Sequence, residues 1–150
     1  MTKTWLVSAT DDDLRQAVAE WSELLAQRQF AAALSMFDAE DGPYAEQWTP
    51  ELLETTVANY GCSDPDPEGR VFAITSLYAL PSVNAAEYIA RNIVVDRDNL
   101  YGLNPSRYLG MIHYDGVPLN GAPTDLTARF NIKKVGDGAI ALEFVDIHVM

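Results

Sequence analysis

The segment from Leu126 to Met150 constrains the fold of this chain more than any other part. Apolar and polar side chains alternate from Leu126 to Lys133, which predicts a half-buried antiparallel strand because successive side chains of a strand point to opposite faces. Gly136-Asp137-Gly138 predicts a tight hairpin loop. Pairing the residues on either side of this loop sets apolar side chains opposite one another: Val135 with Ala139, Ile132 with Leu142, and Phe130 with Phe144.

The alternation changes phase within the final predicted strand. Its first apolar residues occupy even-numbered positions, Ile140, Leu142 and Phe144, whereas the later ones occupy odd-numbered positions, Ile147 and Val149. One extra residue near Val145, a β-bulge, keeps both sets on the core face. The bulge also places Asp146 near Arg129 and His148 near Thr127 on the outer face, whereas a regular strand would turn Asp146 and His148 inward.

Three helices are predicted in the first part of the chain. The first begins after Thr10, an N-cap with Asp13 in the capping-box position. A short second helix is predicted over 30–37, and a third begins at Thr49-Pro50 and stops at Gly61, where a left-handed residue is expected. The apolar spacing of the first helix defines its buried face: Leu14, Val18, Trp21 and Leu25.

The remainder of the chain predicts a linker and a sheet. Residues 62–70 are rich in Pro, Asp and Gly, as in a linker. Strands are predicted over 71–80 and 107–114, and residues 115–123 form a connection. The segment 84–99 mixes helix and strand formers, and we favour a strand over 88–96. The predicted organisation is one α+β domain, 1–150, with helices about 10–61, a linker at 62–70 and an antiparallel sheet within 71–150.

The composition excludes several classes of protein. The chain has 150 residues, 48% of them apolar, one cysteine and a net charge of −12. One cysteine excludes a disulfide framework, and an acidic chain repels nucleic acid and anionic membranes. Without a long apolar run or a secretory signal, the expected location is the cytoplasm.

The negative charge belongs to the first half of the chain. Residues 1–70 carry 14 acidic and 4 basic side chains, whereas residues 71–150 carry 8 and 6. Asp11, Asp12 and Asp13 suit the first turn of a helix, where negative charge meets the positive end of the helix dipole. The others form either a solvated surface or a docking face for a basic partner.

Two pairs of residues have the types used in acid–base chemistry. His113 with Asp115 and Asp146 with His148 are each two positions apart and hold both histidines of the chain. If the strands joined them, they could activate water or bind a divalent cation. Ordinary polar positions and a surface pair between Asp146 and Arg129 are the simpler interpretation, and we predict neither a metal nor a cofactor.

The aromatic residues offer a second kind of site. Aromatic side chains at helical or strand spacing most often form the core, but enough are present to line an apolar ligand pocket. The residues predicted to line it are Trp21, Phe37, Trp48, Tyr60, Tyr114, Phe130 and Phe144.

The order of elements resembles a known superfamily. Residues 21–34 look like the first two helices of the nuclear-transport-factor-2-like superfamily, whose domains are cystatin-like cones. Residues 114–121, 125–130 and 146–150 look like a family of small bacterial proteins. The resemblance to this superfamily implies helices packed on a curved, bulged antiparallel sheet. The superfamily includes enzymes, ligand binders, scaffolds and toxin-immunity proteins, so the fold alone does not determine the function.

We therefore carry three hypotheses forward. The first is a non-catalytic binding protein, of the immunity type, that engages a basic protein partner or a small apolar ligand. The alternative is a small-molecule enzyme that uses the His/Asp pairs inside the cone. The third is a homodimer through the outer sheet face, where Thr127, Asn131 and Glu143 were expected to form a flat, lightly charged surface.

Overall fold

The computed structural model describes residues 2–62 and 64–149. Within these residues, four helices, a 3₁₀ turn and six strands follow one another. Their bounds are β1 Trp5–Leu6, α1 Asp11–Ala26, α2 Phe30–Met36, β2 Asp38–Ala39, α3 Pro50–Ala58, the 3₁₀ turn Leu77–Ala79, α4 Ala85–Asn92, β3 Ile93–Asp96, β4 Tyr108–Tyr114, β5 Leu126–Lys134 and β6 Ala139–Val149.

The strands form one strongly curled sheet. Its order is β1-β6-β5-β4-β3 with antiparallel neighbours, and β2 adds to β6 as a short parallel strand. Helices together with a curled antiparallel half-barrel make an α+β, cone-like fold, which confirms the predicted fold class.

The carboxy-terminal hairpin has the predicted register. The backbone N–H of Val135 donates to the carbonyl of Ala139. Ile132 lies opposite Leu142, and Phe130 lies opposite Phe144. The next pair is Arg129 with Asp146, so Val145 is the extra residue of a β-bulge. The bulge keeps Ile147 on the core side at 2% exposure and turns Asp146 outward, as its sequence phase predicted.

The two strongest predicted helix starts are also confirmed. The Thr10 hydroxyl accepts from the backbone N–H of Asp13, and the Asp13 carboxylate accepts from the backbone N–H of Thr10, which completes a capping box. The Thr49 hydroxyl accepts from the N–H of Leu52, two residues after Pro50. Gly61 has the expected left-handed conformation, with φ of 76°, although α3 itself ends at Ala58.

The predicted strand over 71–80 is wrong. Only Ile74 makes a strand-like bridge there, to Leu119, and a 3₁₀ turn follows at Leu77–Ala79. The Glu23 carboxylate of α1 accepts from the Ser76 hydroxyl at 2.5 Å and from the Leu77 N–H at 3.2 Å. This long-range contact holds the chain in a turn. The buried residues Ile74, Leu77 and Leu80 are therefore three positions apart, whereas core-facing residues of a strand are two apart.

The strand predicted over 88–96 is right only from Ile93 onward. Residues 85–92 are helix α4, because the Asn84 side chain accepts from the N–H of Glu87 as an N-cap and the helix buries Tyr88 and Ile89. The sheet therefore does not fill 71–150 as expected. Its long strands begin at Ile93, and two short strands, β1 and β2, come from the first part of the chain.

The core lies between α1 and the curved sheet. Trp21 of α1 is fully buried and meets Phe130 edge-on, with ring centroids 5.1 Å apart, and Phe144 at 5.3 Å. Phe37 packs edge-on against Phe130 at 5.4 Å. Within the part of the chain that the structure describes, no helix has the length and hydropathy needed to cross a bilayer.

Candidate functional site

The β-bulge opens a cleft beside the end of β6. The cleft has a volume of about 540 Å³ and lies between the β2–α3 segment, helix α3 and the bulged strand. Its polar and aromatic wall is formed by Glu40, Tyr44, Glu46, Trp48, Arg129 and Asp146. Bulges recur next to functional sites because they bend a strand and redirect its side chains.

Trp48 anchors the β2–α3 segment to the bulge. Its indole N–H donates to the carbonyl of Val145 at 2.9 Å, and its ring lies 5.1 Å from that of Phe144. The extra residue of a bulge leaves a ladder group without a strand partner, and Trp48 satisfies it. The indole is therefore fixed, half-buried, as a rigid wall of the cleft, while the neighbouring Tyr44 is 99% exposed.

Arg129 and Asp146 form the opposite wall. The Arg129 Nε donates to one carboxylate oxygen at 2.8 Å, and a terminal guanidinium nitrogen donates to the other at 2.6 Å. This bidentate hydrogen bonding raises the pKa of Arg129 and fixes both side chains. The surface pair expected from the bulge is thus present, and Asp146 already has a cationic partner.

Glu40 is the half-buried carboxylate of the cleft that makes no ion pair within the described residues. Within the same residues its side chain makes no hydrogen bond either. Burial raises its pKa and the negative charges of Glu143 and Asp146 raise it further, while the positive charge of Arg129 opposes part of this rise. The charged residues of the cleft wall are three carboxylates and one guanidinium, a formal charge of −2.

A buried polar cluster lies directly behind Glu40 on the same sheet face. Glu143 is fully buried and accepts from the Tyr108 hydroxyl at 3.0 Å and from the Asn131 amide at 2.9 Å. Lys133 lies 3.5 Å from Glu143 and 2.6 Å from Asp38. Burial, with the adjacent Glu143 carboxylate, raises the pKa of Tyr108 to about 12. One cation between two carboxylates leaves this cluster negative as well.

The structure separates the predicted His/Asp pairs. His113 lies opposite Arg129, which lies opposite Asp146, so an arginine stands between the two pairs. His113 packs against the ring of Tyr101, with centroids 6.1 Å apart, and Asp115 contacts the Thr127 hydroxyl at 3.4 Å.

His148 has the closest approach to a carboxylate. It lies opposite Thr127, and its Nδ1 is 3.2 Å from Asp146. That nitrogen has no hydrogen-bond partner within the described residues, and His148 does not line the cleft at the bulge.

Most of the predicted pocket aromatics lie in the core. Trp21, Phe37, Tyr114, Phe130 and Phe144 are each at most 3% exposed, and their rings pack on one another or on neighbouring core residues. Burial raises the pKa of Tyr114, whose hydroxyl lies 3.4 Å from that of Ser22. Trp48 reaches the cleft at the bulge. Tyr60 lines a separate cleft beside the 62–70 segment and hydrogen-bonds to Asp125.

The outer face expected to support a homodimer is built differently. Thr127 and Asn131 are 2% exposed and Glu143 is fully buried. The expectation that these three residues form a flat accessible surface is wrong, because Tyr108, Lys133 and Asp38 reach across the sheet and close over the middle of this face.

A larger groove, of about 610 Å³, lies between α1, α2 and the 3₁₀ turn. Its carboxylates are already engaged: Glu20 pairs with Lys3 at 2.8 Å, and Glu23 holds Ser76 and Leu77.

The aspartates in the first turn of α1 are engaged too. Asp11 pairs with Arg97 and Asp12 with Arg15, both at 2.8 Å, and Asp13 closes the capping box. Of the groove and the cleft at the bulge, the cleft is the one that holds carboxylates, Glu40 and Glu46, that make neither an ion pair nor a side-chain hydrogen bond within the described residues.

Sequence reasoning placed Trp48, Arg129 and Asp146 in the region of interest but missed Glu40, Tyr44 and Glu46. The available signal was the composition of residues 38–48, which hold four acidic residues and no basic one, with two aromatics. An acidic, aromatic-bearing connection between elements is typical of a binding loop.

The comparisons with known proteins do not extend this description. No protein-family model, no curated protein and no solved structure matches the chain. Over residues 2–62 and 64–149, no three His, Cys, Asp or Glu side chains converge as a metal site requires.

Replacing Glu40 by glutamine is expected to stabilise the protein slightly at neutral pH. Because the pKa of Glu40 is raised above 4.5 in the fold, ionisation costs the folded state more than the unfolded state, and this cost grows as pH rises through that range. Glu40→Gln should raise the free energy of unfolding at neutral pH by only a fraction of a kcal/mol, because water screens a half-exposed carboxylate. The midpoint of thermal unfolding should rise accordingly. Well below pH 4.5 the difference should vanish.

The matched control is Glu46→Gln, an exposed carboxylate of the same cleft, which is expected to leave the midpoint unchanged at both pH values. A Glu40→Gln protein that is less stable than the wild type at neutral pH would show that Glu40 has a stabilising partner, and would contradict its assignment as an unpaired charge.

Proposed function

We propose that this chain is a non-catalytic binding protein of the nuclear-transport-factor-2-like superfamily, of the immunity type, that engages a basic protein partner through the cleft at the β-bulge. The observation that carries the proposal is Glu40, a half-buried carboxylate that makes no ion pair within the described residues, because the nearby Arg129 is engaged by Asp146. A lysine or arginine side chain from a partner supplies that missing charge.

The rest of the cleft suits the same ligand. Its formal charge of −2 attracts a cation, and the negative cluster of Glu143, Asp38 and Lys133 lies behind it. Trp48 and Tyr44 present aromatic surface on which an ammonium or guanidinium group binds favourably, by about 0.5–2 kcal/mol. A fixed indole and a fully exposed phenol combine a rigid wall with a movable one.

The geometry favours binding over catalysis. A general base must be oriented toward the proton that it takes, but the His148 Nδ1 has no hydrogen-bond partner in the described residues and Asp146 is held by Arg129. The cleft itself is lined by neither histidine.

The test uses a fluorescein-labelled peptide of alternating lysine and threonine as a basic probe, followed by fluorescence anisotropy. The wild-type protein is expected to bind it with an affinity that falls as salt rises, because exposed charges are screened. Glu40→Gln should weaken binding by about fivefold, the upper range for one exposed ion pair, and Glu40→Lys should weaken it further.

The control variant is Glu20→Lys, which makes the same charge change in the groove between α1 and α2. It is expected to bind like the wild type. Equal weakening by Glu20→Lys and Glu40→Lys would assign the binding to overall charge and overturn the cleft as the site, and the absence of binding by the wild type would overturn the proposal.

The alternative function, a small-molecule enzyme, is supported by one contact, the 3.2 Å between His148 Nδ1 and Asp146. It predicts hydrolysis of chromogenic ester or phosphate substrates that His148→Gln abolishes. Hydrolysis that is lost in His148→Gln but kept in Glu40→Lys would favour the enzyme.

A further inference from the structure

We infer that the basic partner binds as an extended segment that pairs with the free edge of β6 at Val145–Ile147, and so adds a strand to the sheet. This inference rests on the proposed function and specifies its binding mode. The ligand is a stretch of chain whose basic side chains alternate with small uncharged ones.

The edge of β6 that faces the cleft is occupied in two places before the bulge. β5 pairs along the whole of one side of β6. The other side is taken by β1 at Ala139 and Ile140, and then by β2 at Glu143 and Phe144. Beyond Phe144 no strand of the described chain continues on this side, so β6 has no strand partner where it forms a wall of the cleft, although the Val145 carbonyl is occupied by the Trp48 indole.

The register of β2 shows that the cleft lies where a continuation of this strand would pair with β6. Asp38 and Ala39 run parallel to β6 and lie opposite Glu143 and Phe144. A continuing strand would next lie opposite Val145 and Asp146, but the chain leaves the sheet at Glu40 and turns into the β2–α3 segment. The space of a third edge strand is therefore bounded by the protein and open to a ligand.

Two contacts mark the ends of this opening. The Trp48 indole bonds the carbonyl of Val145 and closes the end next to β2. At the other end Gly61 lies so close to the β6 backbone that a Cβ on it would be 2.9 Å from the Cα of His148. Between them Val145, Asp146 and Ile147 line the cleft.

The chemistry on either side of the edge selects the segment. Side chains of an added strand point alternately to the two faces of the sheet. On the outer face they meet Glu40, whose carboxylate makes no ion pair within the described residues and favours lysine or arginine. On the inner face they meet Trp48 and Leu52, which favour small uncharged side chains. Main-chain hydrogen bonds supply affinity and the alternating pattern supplies specificity, as in other strand additions.

The experiment compares two peptides on the full-length chain. The first is the alternating lysine–threonine probe, and the second has the same sequence with N-methyl groups on alternate backbone nitrogens, which keeps every charge and removes the N–H donors of one edge. We expect methylation to weaken binding at least tenfold. In heteronuclear NMR, the amide signals of Val145, Asp146 and Ile147 should shift and exchange more slowly with the unmethylated peptide alone.

The outcomes separate the two proposals. Equal binding of both peptides, still lost in Glu40→Lys, would overturn strand pairing and leave the basic partner in place. Binding of neither would overturn both proposals. A concentration-dependent dimer that the peptide dissociates, with shifts at the same three amides, would replace the basic partner with a second copy of this chain as the occupant of the edge.

Discussion

Trp21→Ala is expected to lower the free energy of unfolding by about 3–5 kcal/mol, the usual cost of removing a large aromatic side chain from a packed core. Trp21 is fully buried and touches the rings of Phe130 and Phe144, one from each strand of the carboxy-terminal hairpin. Its removal opens a cavity at the junction between helix α1 and the sheet. Urea denaturation followed by far-ultraviolet circular dichroism measures the loss.

Trp21→Phe is the matched comparison. It keeps a ring against both phenylalanines and removes the indole N–H, which is buried without a partner within the described residues. A buried unsatisfied donor costs about 1–3 kcal/mol, so losing it offsets part of the cavity. We expect Trp21→Phe to cost less than half as much as Trp21→Ala. Near-equal losses would mean that ring packing against the hairpin contributes little.

Gly61→Ala is expected to cost about 2–5 kcal/mol through two separate effects. Gly61 has φ of 76°, where a side chain adds about 1–2 kcal/mol of strain. Its Cβ would also lie 2.7 Å from a Leu126 methyl carbon and 2.9 Å from the Cα of His148, and relieving such overpacking costs about 1–3 kcal/mol. The neighbouring strand must move away, so the peptide affinity of the cleft should fall as well.

Gly69→Ala separates these effects. Gly69 has the same φ of 76°, but a Cβ there meets nothing within 4 Å, so only the backbone strain remains. The difference in unfolding free energy between the two variants measures the close approach of Gly61 to β6. Variants of equal stability would show that β6 is not held against this turn, and would remove one boundary of the proposed strand-binding edge.

The parts of the fold that sequence predicted are those governed by local rules. The capping box of Thr10 with Asp13 and the Thr49-Pro50 start need only neighbouring residues. The hairpin and its bulge were predictable because the side chains of a regular strand alternate between its two faces, so the residues on the core face are all odd-numbered or all even-numbered. The change from even to odd between Phe144 and Ile147 therefore required one extra residue. Each of these expectations is confirmed by the structure.

The parts that sequence did not predict depend on contacts distant in the chain. Ile74 and Leu77 look like strand residues until Glu23, more than fifty positions earlier, accepts from the backbone at the 3₁₀ turn. Helix α4 was missed because the strand formers at 93–95 outweighed the helix formers at 85–87, and the Asn84 cap was not recognised. β1 and β2 are two residues each, too short for any periodicity, and β6 determines where they pair.

The site was predicted in part for the same reason. The outward placement of Asp146 beside Arg129 followed from the bulge, whereas the role of Glu40 depends on which acidic residues lack partners. Net charge alone does not reveal this: Asp11 and Asp12 face arginines at 2.8 Å, but Glu40 does not. Within residues 38–48, Asp38 and Asp41 also have cationic partners, so net charge does not distinguish them from Glu40.

The single extra residue at Val145 also determines how β6 tolerates change. Before it, even-numbered positions face the core, and after it odd-numbered positions do. Among the apolar residues that face the core, charged substitutions should therefore be poorly tolerated at Ile140, Leu142 and Phe144 before Val145 and at Ile147 after it. Deleting Val145 would place the apolar residues on both sides of it in one alternating pattern opposite the partner strand. It would also remove the bend on which the cleft depends. The cleft could therefore be lost without loss of the hydrophobic pattern.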